Sequence, residues 1–137
     1  MFSNLPIMTA FDLRRLGALF ERIRHHVKPP ATLTWLEREL ERAVVVKSEE
    51  VPATVVTMNS QVEVSDLDTE ERSCLTLVFP SMAGSDAGRV SVLASLGTAL
   101  LGSREGHSIE LKTPRGVQRL RVERILYQPE AAGRFDL

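Results

Sequence analysis

The feature that most constrains this chain is a change in the spacing of its apolar residues near Val51 and Pro52. Before this point apolar residues recur every three or four positions, as on one face of an α-helix. After it they alternate with polar residues, as in strands that bury one face. A chain of 137 residues has room for one core and a small appendage. The change therefore predicts a helical hairpin over residues 1–50 and an α+β domain over residues 51–137.

The first predicted helix begins near Thr9, which forms a possible capping box with Asp12. It ends at Lys28–Pro29–Pro30, because proline lacks a backbone donor and disfavours the helical conformation of the residue before it. Its apolar stripe is formed by Leu13, Leu16, Leu19 or Phe20, Ile23 and Val27.

The second predicted helix runs from about Thr32 to Val46, and Thr34 with Glu37 offers a second possible start. Because each helix must cover the apolar stripe of the other, we expect a short antiparallel hairpin. The stripe of the second helix consists of Leu33, Leu36, Leu40 and Val44.

Residues after Pro52 predict mostly antiparallel strands with one short helix, which is an α+β fold. Thr54–Met58 and Val62–Val64 flank Asn59–Ser60 and predict a hairpin. The tail from Gln128 has no strong period and is expected to wrap the surface or fray. The other predicted elements are a polar loop at Asp66–Glu70, a central strand at Cys74–Phe79, a loop at Pro80–Arg89, strands at Val90–Val92, Ile109–Lys112 and Val117–Tyr127, and a helix at Ser95–Leu101.

The net charge of −1 and the aromatic content of 5% disfavour general nucleic-acid binding, although a local basic patch stays open. The sequence shows neither a secretory signal nor an apolar run long enough to span a membrane, so we expect a cytoplasmic protein. The lone Cys74 cannot form an intramolecular disulfide, and its apolar neighbours predict a buried, inert thiol.

No group of residues predicts a catalytic, cofactor-binding or metal site, so we do not expect an enzyme. His25 and His26 are adjacent, and side chains at that spacing on a helix point apart rather than converge on a metal. Asp66–Glu71 lacks the glycine and the terminal glutamate of a calcium loop. Lys112–Gly116 lacks the glycine-rich cradle of a phosphate site and is typical of a turn.

Five segments, in the correct order, resemble the Rnk family (regulator of nucleoside diphosphate kinase) and the related Gre transcription elongation factors. The segment that begins at Val55 is similar to the first hairpin of the Rnk family, and the one that begins at Tyr127 is similar to Rnk rather than Gre. The matching segments are Val55–Val62, Asp66–Glu71, Ala99–Gly102, Leu111–Gly116 and Tyr127–Gly133.

The resemblance implies an FKBP-like C-terminal domain in a protein that binds RNA polymerase near its secondary channel. In Gre factors the contact includes a Ser-Pro-aliphatic loop before the short helix, and the matching residues here are Ala94, Ser95 and Leu96. The proline is absent, and a plain helix start with Leu96 in the core is the alternative interpretation. No sequence-specific nucleic acid and no membrane is implied, and either a monomer or a weak dimer is possible.

Gre factors hold magnesium with paired acidic residues at the tip of a long hairpin. The corresponding segment here, His25–Ala31, contains no carboxylate. The resemblance therefore predicts a protein that competes with Gre factors without stimulating transcript cleavage. An interaction module that uses the apolar stripe of its hairpin, on another partner or in a homodimer, is the second hypothesis. A prolyl isomerase is the third, and with one Trp and one Tyr the chain has little material for its aromatic pocket.

Overall fold

The protein combines a helical N-terminal part with a curled β-sheet. The structure, a computed structural model, describes residues 5–23, 31–83, 88–114, 116–135 and 137. Its elements are β1 (Ile7–Thr9), α1 (Ala10–Ile23), α2 (Ala31–Arg42), β2 (Val44–Val46), β3 (Gln61–Asp66), β4 (Arg72–Val78), β5 (Arg89–Ser91), α3 (Ser95–Leu100), β6 (Ser108–Thr113) and β7 (Gly116–Tyr127), with 3-10 turns at Ser48–Glu50 and Pro80–Met82.

The main sheet has five strands in the order β5-β4-β3-β7-β6. The β4–β5 pair is parallel and the other neighbours are antiparallel. Register shifts between β3 and β7, at Gln61/Val62 and Glu63/Val64, increase the local bending of the sheet. The mixed α+β fold is therefore confirmed, and β4, β5, α3, β6 and β7 lie within two residues of their predicted positions.

The start of α1 was predicted correctly, but its cap has a second function. The backbone N–H of Asp12 donates to Oγ1 of Thr9 (3.0 Å), which is one half of a capping box. The carboxylate of Asp12 turns instead to the side chain of Arg15 and to the backbone N–H of Met58 (2.6 and 3.0 Å). The cap residue thus ties α1 to the chain that leads into the sheet.

The prediction that the second helix continues to Val46 is wrong. The helix ends at Arg42, and Val44–Val46 pairs in parallel with β1, with Ile7 opposite Val44. Three consecutive β-branched residues favour extended backbone, and β1 supplies a partner strand. Val44 is consequently exposed instead of lying in a helical stripe.

The predicted hairpin of Thr54–Met58 with Val62–Val64 is also wrong. Only Val55 makes a strand-like bridge, to Arg104, whereas β3 pairs with β4 and β7. Val55–Met58 is fully buried, so its apolar residues reflect enclosure on all sides rather than a strand with one buried face.

The true hairpin joins β3 to β4 through the predicted polar loop. The carboxylate of Asp66 accepts the backbone N–H groups of Asp68 and Thr69 (2.8 and 3.1 Å), as in an Asx turn. These two bonds, followed by one from Gln118, lower the pKa of Asp66.

One hydrophobic core joins the helices to the inner face of the sheet. Leu16 of α1 and Leu36 of α2 are fully buried in the same cluster as Val62, Leu77 and Val122. Burial of one such apolar side chain stabilises the folded state by about 1.5–3 kcal/mol relative to leaving it exposed. In the described part of both helices most of the stripe is therefore buried, and Leu13 and Leu40 are half-buried against the core, which leaves little apolar surface there for the partner of the second hypothesis. The buried stripe residues are Leu16, Leu19, Phe20, Ile23, Leu33 and Leu36.

Val27 and Lys28–Pro29–Pro30 lie outside the described residues, as do His25 and His26. The antiparallel hairpin and the division at residue 50 therefore stay predictions.

The start of the tail packs against the rest of the chain, one of the two outcomes expected for it. Nε2 of Gln128 donates to the carbonyl oxygens of Pro52 and Val55 (2.8 and 2.7 Å). The carboxylate of Glu130 accepts from the hydroxyl of Thr57 (2.7 Å). These bonds fix the tail against the buried Val55–Met58 segment.

Cys74 is exposed, so the prediction of a buried thiol is wrong. Cys74 pairs with Glu63 on the outer face of the sheet, while its neighbour Leu75 packs against the core. The side chains of a strand alternate between faces, and the prediction wrongly treats both faces of this strand as buried.

Among the residues described, no helix is long and apolar enough to cross a membrane.

Candidate functional site

The three residues predicted to bind RNA polymerase lie where the chain enters α3. Ala94 is the N-cap residue of α3 and has extended backbone (φ −74°, ψ 152°). Ala94 and Ser95 are exposed, whereas Leu96 is half-buried and packs against the core cluster. The structure thus places two of the residues on the surface and the third between the surface and the core.

Hydrogen bonds between residues close in sequence hold the segment before α3, residues 91–94, in one conformation. Ser91 accepts the backbone N–H of Leu93 at its Oγ and the N–H of Ala94 at its carbonyl oxygen (3.1 and 3.0 Å). Oγ1 of Thr98 donates to the carbonyl oxygen of Val92 (2.7 Å). A loop held in this way loses little conformational entropy when it binds a partner.

Gly97 is a further part of this site that sequence reasoning missed. A Cβ atom at this position would lie 2.0 Å from the carbonyl oxygen of Ser91 and 3.0 Å from Cα of Val92. The first turn of α3 therefore packs directly on the backbone that precedes it. The available signal was an isolated glycine inside a helical pattern, which commonly has a packing reason.

Two grooves flank the exposed start of α3. One has a volume of about 590 Å³ and runs along β5, lined by Leu75, Val90 and Ala94 among others. The other has a volume of about 300 Å³ and lies between Trp35, Ser95 and the edge of β6. Ala94 and Ser95 thus form a ridge between two depressions. The ridge, formed by Ala94 and Ser95, carries no titratable side chain.

A buried ionic cluster connects α1 to the sheet and lies away from this ridge. The guanidinium of Arg15 lies over the rings of Phe11 and Phe79, at 4.0 and 4.8 Å from their centroids. Burial raises the pKa of Asp12, although bonds from Arg15 and Met58 oppose the shift. The sequence indicates Asp12 only as a cap, because Arg15 is near in sequence but Met58 and Phe79, which complete the cluster, are not.

Glu130 lies close to this cluster, and its pKa is also raised. Burial is the main cause of the shift, and the charge of Asp12 adds to it, while the bond from Thr57 opposes it. Neither carboxylate lies in an open pocket, so the cluster serves to join elements.

The other sequence candidates form no metal cluster in the described part of the chain. There, no group of three or more His, Cys, Asp or Glu side chains could hold a metal ion. The Asp66–Glu71 segment is the β3–β4 turn, and Lys112 and Thr113 end β6 next to the turn into β7.

Comparisons with known proteins point to one group of related families. Residues 51–127 match the family described as "Transcription elongation factor, GreA/GreB, C-term". The "Regulator of nucleoside diphosphate kinase" of Escherichia coli K12 is 40% identical over 132 residues, which cover 96% of each chain. The elongation factor GreA of Azorhizobium caulinodans is 31% identical over 117 residues, which cover 81% of this chain and 74% of GreA.

A solved structure extends the similarity to three dimensions. The prokaryotic transcription elongation factor GreA/GreB from Nitrosomonas europaea superposes with a TM-score of 0.77 and 39% sequence identity. The match covers 89% of this chain and 99% of that one. These relatives are named as regulators or elongation factors rather than as catalytic enzymes.

Proposed function

The chain belongs to the Rnk family of regulators of nucleoside diphosphate kinase, which is related to the Gre transcription elongation factors, and we propose that it is a transcription regulator that binds RNA polymerase. The observation that carries this proposal is the exposed, hydrogen-bonded start of α3. It lies within the part of the chain that matches the GreA/GreB C-terminal family.

We propose that Ala94, Ser95 and Leu96 contact RNA polymerase at the rim of its secondary channel, at the site that Gre factors use. Ala94 and Ser95 are exposed, and Leu96 reaches the edge of the core, so a partner can contact all three from one side. Where Gre factors have a proline this chain has Ser95, and the close packing of Gly97 and the hydrogen bond from Thr98 hold the segment before α3.

We propose that the bound protein excludes Gre factors without stimulating transcript cleavage, and that it is not an enzyme. The described part of α1, 14 residues, spans about 21 Å. Residues 25–31 contain no carboxylate that could hold a magnesium ion. The related proposals are an FKBP-like sheet domain over residues 51–137, a helical part over residues 1–50, and a cytoplasmic location.

Competition for core RNA polymerase tests the proposal. With a labelled Gre factor bound to polymerase, increasing concentrations of this protein should displace the label. In stalled elongation complexes the protein alone should leave transcript cleavage at its basal rate, and it should slow Gre-stimulated cleavage. Absence of binding, or accelerated cleavage by the protein alone, would contradict the proposal.

A further inference from the structure

The outer face of the sheet, opposite the core, carries most of the arginines of the strands. Ser65 on β3 pairs with Arg72 on one side and Arg121 on the other, and Glu63 pairs with Arg124. Residues that pair across neighbouring strands point to the same face. Since Val62 and Val64 of β3 face the core, the alternation of the strand places these arginines on the outer face.

The outer face has an excess of positive charge, although the chain as a whole has a net charge of −1. Arg119 is neutralised by Asp68 of the β3–β4 turn (2.6 Å). The remaining charged side chains of this face are five cations, Arg72, Arg89, Lys112, Arg121 and Arg124, and three carboxylates, Glu63, Glu110 and Glu123.

Two of the three carboxylates on this face, Glu63 and Glu123, are already engaged. Glu63 is shared by Arg72 and Arg124 (3.5 and 3.3 Å), so one carboxylate faces two guanidinium groups. Glu63 is only 15% exposed, whereas the two arginines are 63% and 64% exposed, so the positive charge faces the solvent. Glu123 accepts a hydrogen bond from the hydroxyl of Ser65. Arg121 has no ion pair within the described residues.

The uncharged side chains of this face favour one class of partner. The central strands expose Gln61 and Cys74 between the arginines, while Thr76 is half-buried and Ser65 is buried. The exposed large side chains of this face, Val117 and Tyr127, lie at the two ends of β7, beyond the arginines rather than between them. Protein interfaces usually need aromatic or aliphatic anchors at their centre. Phosphate backbones are bound instead by arginine together with small polar side chains.

We propose that the outer face of the sheet binds the phosphodiester backbone of nucleic acid through Arg72, Arg121 and Arg124. Arg72 and Arg121 are two strands apart, about 9.5 Å between their backbones, and each guanidinium can bind a phosphate with two parallel hydrogen bonds. Contacts of this kind do not read base edges, so the binding is independent of sequence. The proposal does not rest on polymerase binding, which involves the start of α3.

Fluorescence anisotropy with a labelled single-stranded RNA of about 20 nucleotides tests the proposal. We expect a dissociation constant between about 10⁻⁶ and 10⁻⁴ M, as is usual for non-specific binding. Neutralisation of three phosphates predicts roughly 20-fold weaker binding when the salt concentration rises from about 50 to about 200 mM. A single-stranded DNA and a DNA duplex of the same sequence identify which nucleic acid binds best. No binding to any of the three at the lower salt concentration overturns the proposal.

A double variant with Arg121→Ala and Arg124→Ala removes two of the three contacts. We expect at least a tenfold loss of affinity and a salt slope smaller by about 1.4, since each phosphate contact contributes about 0.7. The matched control, Arg38→Ala with Arg42→Ala, removes the same charge from α2 and should bind like the unmodified protein.

Two results of this comparison would overturn the proposal. One is an equal effect of the two double variants. The other is binding of a polyglutamate peptide as tight as that of the RNA, which would assign the face to an acidic protein partner. Thermal unfolding checks that both variants fold. The Arg121/Arg124 variant should still displace a Gre factor from polymerase. A failure of the nucleic-acid proposal can therefore be distinguished from a failure of the proposed function.

Discussion

Replacement of Gly97 by alanine tests how the candidate binding loop is held. The added Cβ would lie 2.0 Å from the carbonyl oxygen of Ser91, a backbone atom that cannot rotate away. Ordinary contact distances begin near 3.4 Å, so the loop or the helix must move by more than an ångström. Such overpacking costs about 1–3 kcal/mol. Loss of the bond from Thr98 to Val92 adds about 0.5–1.5 kcal/mol.

Alanine is a better helix former than glycine by at most about 1 kcal/mol, so the clash should dominate. We expect Gly97→Ala to lower the free energy of unfolding by about 0.5–3.5 kcal/mol after this gain is subtracted. Urea denaturation measures the change, and polymerase binding should weaken in parallel because the displaced loop includes Ala94.

Gly17→Ala is the matched control, because it makes the same change inside a helix. Apart from its chain neighbours and the backbone of α1 itself, no atom lies within 4 Å of a Cβ placed at Gly17, so α1 can accept the methyl group. We expect this variant to be more stable by about 0.5–1 kcal/mol. If Gly97→Ala were as stable as the unmodified protein, the close contact between α3 and Ser91 would be refuted.

Three further predictions concern the buried cluster and the thiol. Asp12→Ala should lower the free energy of unfolding by about 1–3 kcal/mol in urea denaturation, because the buried N–H of Met58 loses its acceptor, while Arg15, which is 26% exposed, keeps its hydrogen bond to the carbonyl oxygen of Leu137; a loss below about 0.5 kcal/mol would contradict the cluster. The folded-state pKa of Glu130 is raised, so its stabilising contribution is complete below the unfolded pKa and is lost as the pH rises through the folded value. The stability of the unmodified protein relative to Glu130→Gln should therefore fall between mildly acidic and neutral pH, and a rise would refute the assignment. Cys74 is exposed, so a thiol reagent should modify it in the folded protein at nearly the rate found after denaturation; strong protection would restore the prediction of a buried thiol.

Elements with local signals were predictable from the sequence. The β6–β7 hairpin and α3 are bounded by glycine and proline residues, and their positions were correct within two residues. The prediction of Ala94, Ser95 and Leu96 as a site came from a resemblance, and their exposure could not be inferred from the residues alone.

Elements that depend on distant partners were not predictable. Val44–Val46 is a strand only because Ile7–Thr9, from the other end of the helical part, lies beside it. The Val55–Met58 segment reads as a strand but is enclosed by the tail, which begins some 70 residues later at Gln128. The exposed arginine face depends on the order and register of strands, which a single sequence does not specify.

The most direct test of the central claim is the affinity for core RNA polymerase of two aspartate variants. Ala94→Asp places a charge on the ridge at the start of α3, whereas Ala132→Asp places the same charge on an exposed turn of the tail. We predict that Ala94→Asp weakens binding and displacement of a Gre factor at least tenfold, while Ala132→Asp leaves both unchanged. Equal affinities of the two variants and the unmodified protein would contradict polymerase binding through this loop.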